Sequence, residues 1–473
     1  MELAHYVGGD WHRGSGEAVD VYEPATGEVY ARVLAAEPEL VSRAYEAAEA
    51  AFPAWSRLPA AERGAWMRRL ADGIEARFDE FAAAESRDTG KPLSVSSTVD
   101  IPRAMANLRF FADAATQFAS ESHAAPGQPV NYTLRYPLGP VACISPWNLP
   151  LYLFSWKIAP ALAVGNTVVG KPSEVTPVTA YLLADVAREA GLPAGVLNVV
   201  HGPGAPTGAA VVAHPSARAV SFTGGSSTGR AIAGVLAPRL TKYSLELGGK
   251  NPVLVFADAD LEEAARVTVR SSFANSGQIC LCGSRVYVEA GAYASFRDRL
   301  VAAAKTLRVG PPDAEADLGP LASEQHLAKV RGYVERARAS GATVHTGGSG
   351  ELPRRSGYYH APTILEGLDR GHACLREEIF GPVVTLMPFA DEAEALRLAN
   401  DTDYGLAAVV WSRDVRRCTR VAEVLDAGIV WVNTWMARDL RTPFGGVGQS
   451  GYGREGGQEA LRFFTGVKNV CLG

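Results

Sequence analysis

The sequence has few cysteines and no strong excess of either charge. Its six cysteines are scattered through 473 residues without a CxxC pair, which argues against a disulfide framework. The 46 basic and 51 acidic residues give a formal net charge of −5, whereas a nucleic-acid-binding face is net basic. We therefore expect free thiols, no metal site and no nucleic-acid partner.

Long hydrophobic runs are also missing. The longest weakly polar stretch, residues 158–170, contains Pro160 and Asn166 and is shorter than the roughly 20 residues needed to cross a bilayer. The opening segment from Met1 to Trp11 lacks the apolar core of a signal peptide. Hydrophobic residues make up 47% of the chain, which excludes wholesale disorder. These features predict a globular cytoplasmic protein without a membrane partner.

The chain is long enough for several domains, at about 150 residues each. Apolar residues recur at helical spacing over 37–55, 61–84 and 101–119, so the first 120 residues are predicted to be mainly helical. Residues 121–137 contain proline, glycine and alternating side chains, which is typical of a strand-like excursion. From Val141 onward, short β-branched runs alternate with helical segments, and a second such series begins near Gly249. This alternation predicts an α/β protein with a doubly wound parallel sheet.

The predicted elements of the two series follow from these runs. In the first, strands are expected at 141–144, 167–169, 196–200, 219–222 and 243–247, and helices near 155–163, 177–190, 206–213 and from 226. Thr176 is expected to cap the helix at 177–190, with Pro177 in its first position. In the second, strands are expected at 253–256, 285–289, 383–388, 406–411 and 428–433, and helices near 261–273, 292–306, 391–399 and 414–424. The C-terminal segment VKNVCLG is also strand-like.

Glycine-rich segments are candidate phosphate-binding turns. The pattern GxGxxG occurs twice between Gly446 and Gly456, but neither copy directly follows a predicted strand, so a plain turn is favoured. Residues 222–230, FTGGSSTGR, do follow an apolar strand and open a predicted helix, which suits either phosphate binding or an ordinary tight turn. Lys171 and Glu174 follow another strand, where they could hydrogen-bond a ribose or form a solvated surface pair.

Two cysteines are candidate nucleophiles. Cys280 lies in the segment FANSGQICLCGSR, in a polar, glycine-bearing turn between a predicted helix and a predicted strand. A turn of this kind would leave the thiol exposed in a polar environment, which suits a reactive cysteine. Cys282 is the rival two residues later, and either cysteine could equally be structural.

An acid and an amide could complete the chemistry. Glu246 ends the apolar strand of LELGGK, where burial would raise its pKa towards that of a general base. A salt bridge with Lys250 or Lys242 is the alternative. Asn148 in SPWN could donate to an oxyanion or serve as a turn residue.

Taken together, the motifs of the chain resemble the NAD(P)-dependent aldehyde dehydrogenase family. From about Gly8 to the end, the matching segments occur in the family's order: SPWNLP, GNTVVGKPSE, FTGG, LELGGKNP, FANSGQIC, EEIFGPV and PFGGVGQSG. The resemblance implies an aldehyde dehydrogenase fold with a Rossmann-like NAD-binding domain, an α/β catalytic domain and a β-strand oligomerisation arm. The NAD-binding domain is expected over 1–117 and 138–248, the catalytic domain over 249–446, and the arm over 118–137 and 447–473.

The resemblance also implies roles for the matching residues. Cys280 would be the nucleophile, Glu246 the base, and Asn148 the oxyanion donor beside the Cys280 backbone amide. The implied reaction oxidises a small aldehyde to an acid through a thiohemiacetal and a thioester, with NAD as cofactor, in a homodimer or homotetramer. The residues expected at the cofactor are Ile144, Ser145, Trp147, Lys171, Ser173, Glu174, Gly204, Phe222, Gly224, Gly225, Ser226, Gly248, Glu378 and Phe380. Many relatives have serine where Gly225 stands, so the pyrophosphate must use backbone amides or Ser226.

A narrower resemblance concerns the substrate. The segments WMARDLRTPFGG and GYGREGG are similar to those of enzymes that oxidise 2-aminomuconate and 2-hydroxymuconate semialdehydes. Such substrates carry a carboxylate, which arginine pairs with bidentately. Arg438 in WMARDL and Arg103 in DIPRA are the candidate partners, and Arg441 is the fallback.

Other functions stay open at this stage. The same chemistry could serve succinic semialdehyde or an aromatic or aliphatic aldehyde. A cationic betaine-type aldehyde would favour an aromatic box, and Arg438 argues against it. A non-redox binding protein, or a thioesterase that uses the same cysteine, is the more distant alternative.

Overall fold

The structure is a computed structural model that describes residues 1–347 and 356–473. The elements up to residue 247 are β1 (Glu2–Leu3), β2 (His5–Val7), β3 (Asp10–His12), β4 (Ala18–Glu23), β5 (Glu28–Leu34), α1 (Pro38–Arg57), α2 (Ala60–Ala76), α3 (Phe78–Thr89), α4 (Leu93–Val95), α5 (Ile101–Ala114), β6 (Ser122–His123), β7 (Val130–Pro137), β8 (Pro140–Ile144), α6 (Pro150–Ala163), β9 (Thr167–Lys171), α7 (Val178–Glu189), β10 (Leu197–Val199), α8 (Ala209–Ala213), β11 (Ala219–Thr223), α9 (Ser226–Leu236) and β12 (Lys242–Glu246).

The elements that follow complete a second sheet and the C-terminus. They are β13 (Asn251–Val255), α10 (Leu261–Phe273), β14 (Gly283–Glu289), α11 (Tyr293–Lys305), α12 (Glu324–Ala339), β15 (Thr343–Thr346), β16 (Thr363–Glu366), α13 (Ala373–Arg376), β17 (Val383–Phe389), α14 (Glu392–Asn400), β18 (Tyr404–Gly405), β19 (Ala407–Trp411), α15 (Val415–Val424), β20 (Ile429–Val432), β21 (Val447–Gly448), β22 (Gly451–Tyr452), α16 (Gly457–Phe463) and β23 (Thr465–Leu472).

The first large sheet of the described residues has eight strands in the order β22-β12-β11-β8-β9-β10-β2-β3. The chain runs from β8 outward through β9 and β10, and then returns to place β11 on the other side of β8. Ile144 at the end of β8 therefore lies opposite Phe222 at the end of β11. Ligands of open α/β sheets bind in the crevice at such a reversal of strand order. The predicted doubly wound arrangement is present, and its crevice opens beside Ile144.

The predicted nucleophile, Cys280, lies in a loop next to the second large sheet. The described strands of this sheet follow the order β15-β16-β17-β14-β13-β19-β20, and the segment that contains Cys280 connects α10 to β14. The helix α6 is buried along its whole length and begins two residues after Asn148. Asn148 therefore lies just beyond the end of β8 in the first sheet, at the place where the Cys280 segment of the second sheet packs against it.

The arm is a small antiparallel sheet of order β23-β7-β6, in which Thr465 pairs with Pro137 and Leu472 with Val130. Other parts of the C-terminal stretch contact the first sheet, because β22 pairs with β12 and α16 packs on α6. Within the C-terminal range predicted for the arm, 447–473, β23 is the strand that pairs in this small sheet. The division into three domains stays a prediction.

Several local predictions were wrong. The opening residues form β1 to β5 rather than helix, because these strands are two to seven residues long and show no sustained period. The helix predicted at 61–84 is interrupted at Arg77. The hydroxyl of Thr176 donates to the carbonyl of Trp147 at 3.1 Å instead of capping α7, and Pro177 precedes that helix. The elements α12, β15 and β16 were not predicted.

The structure also bears on membrane and metal binding. None of the helices in residues 1–347 and 356–473 is long and apolar enough to cross a bilayer. Over the same residues, no three His, Cys, Asp or Glu side chains come together in a group that could hold a metal ion.

Candidate active site

Cys280 lies in a segment with an unusual backbone. Asn275 and Ser276 have φ angles of +52° and +55°, a conformation that is uncommon for residues other than glycine. The amide of Asn275 stabilises this path, because its Nδ2 donates to the carbonyl of Gln278 at 3.3 Å and to that of Asn148 at 3.0 Å. The segment is therefore held against the end of the first sheet.

The two candidate thiols have different surroundings. Cys280 is half-buried, whereas Cys282 is buried within the apolar core of the second sheet. Burial raises the pKa of both thiols; for Cys280 the nearby Glu378 and Glu246 raise it further, and the positive charge of Arg438 opposes them. Cys280 is thus the more accessible thiol, and it needs a base to reach the thiolate form.

Glu246 is a buried carboxyl at the end of β12. Neither of its oxygens makes a hydrogen bond within the described residues, and no ion pair links it there to Lys250 or Lys242. The Lys242 ammonium instead donates to the carbonyl of Phe463 at 2.7 Å. Burial, followed by the charge of Glu455, raises the pKa of Glu246 well above its usual range. Among the described residues, no hydrogen bond or ion pair therefore occupies the carboxyl, which favours its protonated form, and the salt-bridge alternative was wrong.

A buried ion pair next to Glu246 was missed in the sequence. Lys157 Nζ lies 2.6 Å from Glu455 Oε1 and 3.0 Å from Ser221 Oγ, and Ser221 Oγ donates to the same Glu455 oxygen at 2.9 Å. The charge of Lys157 lowers the pKa of Glu246, whereas that of Glu455 raises it. The available signal was a single lysine within the apolar helix α6 and a single acid within the glycine-rich GYGREGG.

The glycine-rich segment near the C-terminus packs against the same carboxyl. A Cβ added at Gly445 would lie 2.6 Å from Glu246 Oε1, and one added at Gly451 would lie 2.2 Å from the carbonyl of Leu245. Both GxGxxG matches thus belong to turns that approach β12 closely, as the sequence reading favoured.

Asn148 links the end of the first sheet to the Cys280 segment. Its Nδ2 donates to the carbonyl of Gln278 at 2.9 Å, two residues before Cys280. Its Oδ1 has no partner among the described residues, and its side chain is buried. Because an amide nitrogen carries two hydrogens, Nδ2 keeps one donor for an oxyanion formed at Cys280.

Open space adjoins the backbone at two of the predicted cofactor residues. A Cβ placed on Gly204 or Gly225 would meet nothing within 4 Å, so a ligand can approach the backbone at both positions. The α9 helix begins at Ser226, just after Gly225, and helix N-termini bind phosphate. The hydroxyl of Ser145 is buried in the crevice without a partner among the described residues. Ser226 Oγ, however, donates to the carbonyl of Gln449 at 3.1 Å, which leaves the phosphate to backbone amides.

The two ends of the crevice carry the remaining predicted cofactor residues. At one end, Lys171 Nζ donates to Glu174 at 2.9 Å, and Ser173 Oγ accepts from a backbone amide. Lys171 is buried and Glu174 half-exposed, so the pair is more than a solvated surface contact. Phe222 and Gly224 line the wall between the ends, where a Cβ on Gly224 would lie 2.4 Å from the Phe222 ring.

The other end of the crevice adjoins Cys280. The Trp147 ring meets the edge of Phe380 at 5.2 Å between centroids. Glu378 Oε1 accepts from the backbone amide of Gly249 at 2.9 Å. A Cβ on Gly248 would lie 2.3 Å from the second Glu378 oxygen, so the acid reaches across the chain only because residue 248 is glycine. Glu378 and Phe380 thus lie beside the candidate nucleophile, with which they line one small cavity, and the cofactor-binding roles of these residues stay predictions.

Arg438 and Arg103 meet at Tyr152. Arg438 Nη1 donates to the Tyr152 hydroxyl at 2.9 Å, and its guanidinium stacks on Phe444 at 4.3 Å. The Arg103 guanidinium lies 5.2 Å from the Tyr152 ring centroid, and its Nη2 is buried without a partner among the described residues. The fallback residue Arg441 is exposed and pairs with Asp439 at 2.5 Å, so it does not join this group.

A cavity of about 510 Å³ leads toward the same place. Its apolar wall includes Leu149, Tyr152, Phe273, Ile279 and Trp435. Leu149 and Ile279 directly neighbour Asn148 and Cys280 in the chain. The cavity is of small-molecule size, and its wall also includes the charged residues Asp100, Arg266, Arg270 and Asp317. Tyr152, at which Arg103 and Arg438 meet, connects it to the two arginines.

Comparisons with known proteins identify the family of the chain. The model of the "Aldehyde dehydrogenase family" matches residues 11–470. The chain is 48% identical to a 2-aminomuconic semialdehyde dehydrogenase of Danio rerio, over 100% of the chain and 98% of the relative. It is also 48% identical to a 2-hydroxymuconic semialdehyde dehydrogenase of Pseudomonas sp. (strain CF600), over 100% of the chain and 99% of the relative. A solved NAD⁺ complex of an aldehyde dehydrogenase from Bacillus cereus is 38% identical, with a TM-score of 0.97 and coverage of 100% and 96%.

These matches confirm the family and the fold that the motifs predicted. They extend over the whole described structure, including both sheets and the arm. The chain belongs to the aldehyde dehydrogenase family and is an oxidoreductase that acts on aldehydes.

Proposed function

We propose that the chain oxidises a semialdehyde that carries a carboxylate, with NAD as the hydride acceptor, and that 2-aminomuconate or 2-hydroxymuconate 6-semialdehyde represents the substrate class. The observation that carries this proposal is the meeting of Arg103 and Arg438 at Tyr152, beside the cavity that leads to Cys280. Two guanidinium groups beside Tyr152, a residue on the wall of a mostly apolar cavity, favour an anionic group at a fixed distance from the aldehyde. The names of the relatives support the same class.

The arginines are prepared for an anion. Burial lowers the pKa of Arg103, and the positive charge of Arg438 lowers it further. A carboxylate between them would relieve this repulsion and would supply an acceptor for the unpaired Nη2 of Arg103. Charged hydrogen bonds of this kind contribute about 1.5–3 kcal/mol.

The chemistry is distributed over three side chains. The Cys280 thiol first loses its proton to solvent water. The thiolate then attacks the aldehyde carbon and forms a thiohemiacetal, whose oxyanion accepts hydrogen bonds from Asn148 Nδ2 and the Cys280 backbone amide. When bound, NAD would accept the hydride that this carbon loses, which leaves a thioester on Cys280. Glu246 then takes a proton from the water that attacks the thioester, and the acid is released.

We also infer that the protein is a homo-oligomer, either a dimer or a tetramer. The strands β20 and β23 lie at the ends of their sheets among the described residues. An unpaired strand edge is commonly covered by another element or another chain. A second copy could cover these edges.

The nucleophile assignment is tested by single substitutions. Cys280→Ala should abolish NADH formation from the semialdehyde, because no other accessible thiol lies at the site. Cys282→Ala should keep most of the activity, since this thiol packs in the apolar core. The measurement is NADH absorbance in the steady state. An active Cys280→Ala together with an inactive Cys282→Ala would reverse the assignment.

The role of Glu246 predicts a burst and a pH dependence. Glu246→Gln should release NADH in a burst of about one per active site and then turn over slowly, because thioester hydrolysis needs the base. In the unsubstituted enzyme kcat should increase with pH, because the raised pKa keeps Glu246 protonated at lower pH. Stopped-flow absorbance across pH 6–9 measures both effects. A Glu246→Gln variant without a burst would assign the acid to thiol activation instead.

The cofactor preference depends on Glu174. NAD should be preferred over NADP, because a 2′-phosphate beside this acid would meet a like charge. Glu174→Gln should reduce the ratio of kcat/KM for NAD to kcat/KM for NADP. Lys171 should keep its position as the neighbouring donor in this variant. Equal kcat/KM for both cofactors in the unsubstituted enzyme would contradict this reading.

The substrate assignment is tested at Arg438. Arg438→Ala should reduce kcat/KM for the semialdehyde acid roughly ten- to a hundredfold, the loss expected for a charged hydrogen bond. Arg103→Ala should give a similar selective loss, and Arg438→Lys should restore only part of the activity, since lysine lacks the planar fork. Uncharged aldehydes of the same size should lose little.

The matched control is Arg441→Ala. Arg441 lies in the same loop but is exposed and paired with Asp439, so its loss should affect neither substrate type. Equal losses for acidic and neutral aldehydes in Arg438→Ala would mean that the arginine only holds the loop.

A further inference from the structure

A buried charged cluster lies behind Asn148, away from the cofactor crevice. Lys91 Nζ is 2.7 Å from Asp100 Oδ2 and 4.0 Å from Glu85 Oε1. All three side chains are at most 1% exposed. The steps of the proposed reaction give none of them a role.

Lys91 contacts the main chain of the proposed oxyanion donor. Its Nζ donates to the carbonyl oxygen of Asn148 at 3.2 Å. The same oxygen accepts from Asn275 Nδ2 at 3.0 Å. Two groups therefore hold the Asn148 carbonyl. One is the ammonium of Lys91, which follows α3 in the chain, and the other is the side-chain amide of Asn275 in the Cys280 segment.

The side chain of Asn148 closes a ring of hydrogen bonds. Its Nδ2 donates to the carbonyl of Gln278 at 2.9 Å, and Asn275 Nδ2 donates to that same carbonyl at 3.3 Å. The ring ties Asn148 to the Cys280 segment. Lys91 is the anchor of Asn148 that comes from outside that segment.

Stability alone is a weak explanation for this arrangement. Desolvation of a buried ion pair can exceed the attraction between its charges, and apolar residues of similar volume often serve equally well. An oxyanion donor, in contrast, must be held within about 0.5 Å of its productive position. A buried ammonium aimed at the Asn148 carbonyl meets that requirement, and Asp100 supplies its counter-charge.

We propose that Lys91, with Asp100, is a positioning residue that fixes the Asn148 amide for oxyanion stabilisation. The inference rests on the role proposed for Asn148 above. Because the oxyanion develops only as the thiohemiacetal forms, loss of positioning should lower kcat and leave KM nearly unchanged. A residue that only stabilises the fold would change Tm without this selectivity.

The experiment is a double-mutant cycle on the full-length enzyme. Lys91→Met combined with Asp100→Asn removes both charges of the pair and should lower kcat about ten- to a hundredfold. In an Asn148→Ala background the same two changes should alter kcat less than about threefold, because the positioned amide is already gone. Losses that multiply independently would overturn the proposal.

Asn275→Gly provides a second route to the same test. Glycine tolerates the φ of +52° at this position. The change removes one donor to the Asn148 carbonyl and one to the Gln278 carbonyl without burying an unpaired charge. It should lower kcat and show the same lack of additivity with Asn148→Ala. This variant carries the test if the Lys91 and Asp100 changes prevent folding, and full additivity here would also overturn the proposal.

The matched control is Thr179→Val. Thr179 Oγ1 donates to Glu85 Oε2 at 2.8 Å, so the change disturbs the same cluster without a contact to Asn148. It should lower Tm and leave kcat unchanged. A slow Asn148→Ala variant beside fully active Lys91 and Asn275 variants would refute the positioning role alone. Full kcat in Asn148→Ala would refute the oxyanion role itself, and with it the basis of this inference.

Discussion

The hydrogen bond from Asn148 Nδ2 to the Gln278 carbonyl, at 2.9 Å, joins the two halves of the active site. The first sheet brings Asn148 to its carboxyl edge, and the second sheet brings the Cys280 segment to the same point. The cavity proposed for the substrate adjoins this contact through Leu149, Asn275 and Ile279. The proposed reaction requires a carbon atom at this junction, within reach of both halves. Displacement of either sheet would separate the donor from the nucleophile, so the packing of both sheets bears directly on the rate.

The active site contains buried charged side chains that are paired with side chains of opposite charge. Lys157 faces Glu455, and Lys91 faces Asp100, each within hydrogen-bond distance. Glu246 has no such partner among the described residues, and burial raises its pKa accordingly. Removal from water is costly for any charge without a partner. The one carboxyl expected to gain and lose a proton is thus the one left without a hydrogen bond.

Much of this site could be predicted from the sequence, and the reasons for the misses are physical. Cys280, Glu246 and Asn148 each lie next to a β-branched or apolar run that ends in a turn, so local pattern and the family's motif order locate them. Lys157 is 298 residues from Glu455, and its helix is apolar on all sides, so neither residue signals its partner. Lys91 likewise meets Asn148 across 57 residues. The strands β1 to β5 were missed because elements of two to seven residues carry too few positions to establish a period.

The same charges link the substrate to the proton chemistry. The positive charge of Arg438 lowers the pKa of Glu246 and also that of Cys280. A substrate carboxylate bound to Arg438 would neutralise much of that charge. The pKa of Glu246 would then increase further while the substrate is present, so a higher pH would be needed to deprotonate it for thioester hydrolysis. A neutral aldehyde would leave the charge of Arg438 uncompensated and the pKa of Glu246 lower than in the complex with an acidic substrate. By this argument the arginines act on hydrolysis as well as on binding, because the electrostatic interaction between Arg438 and Glu246 couples the two.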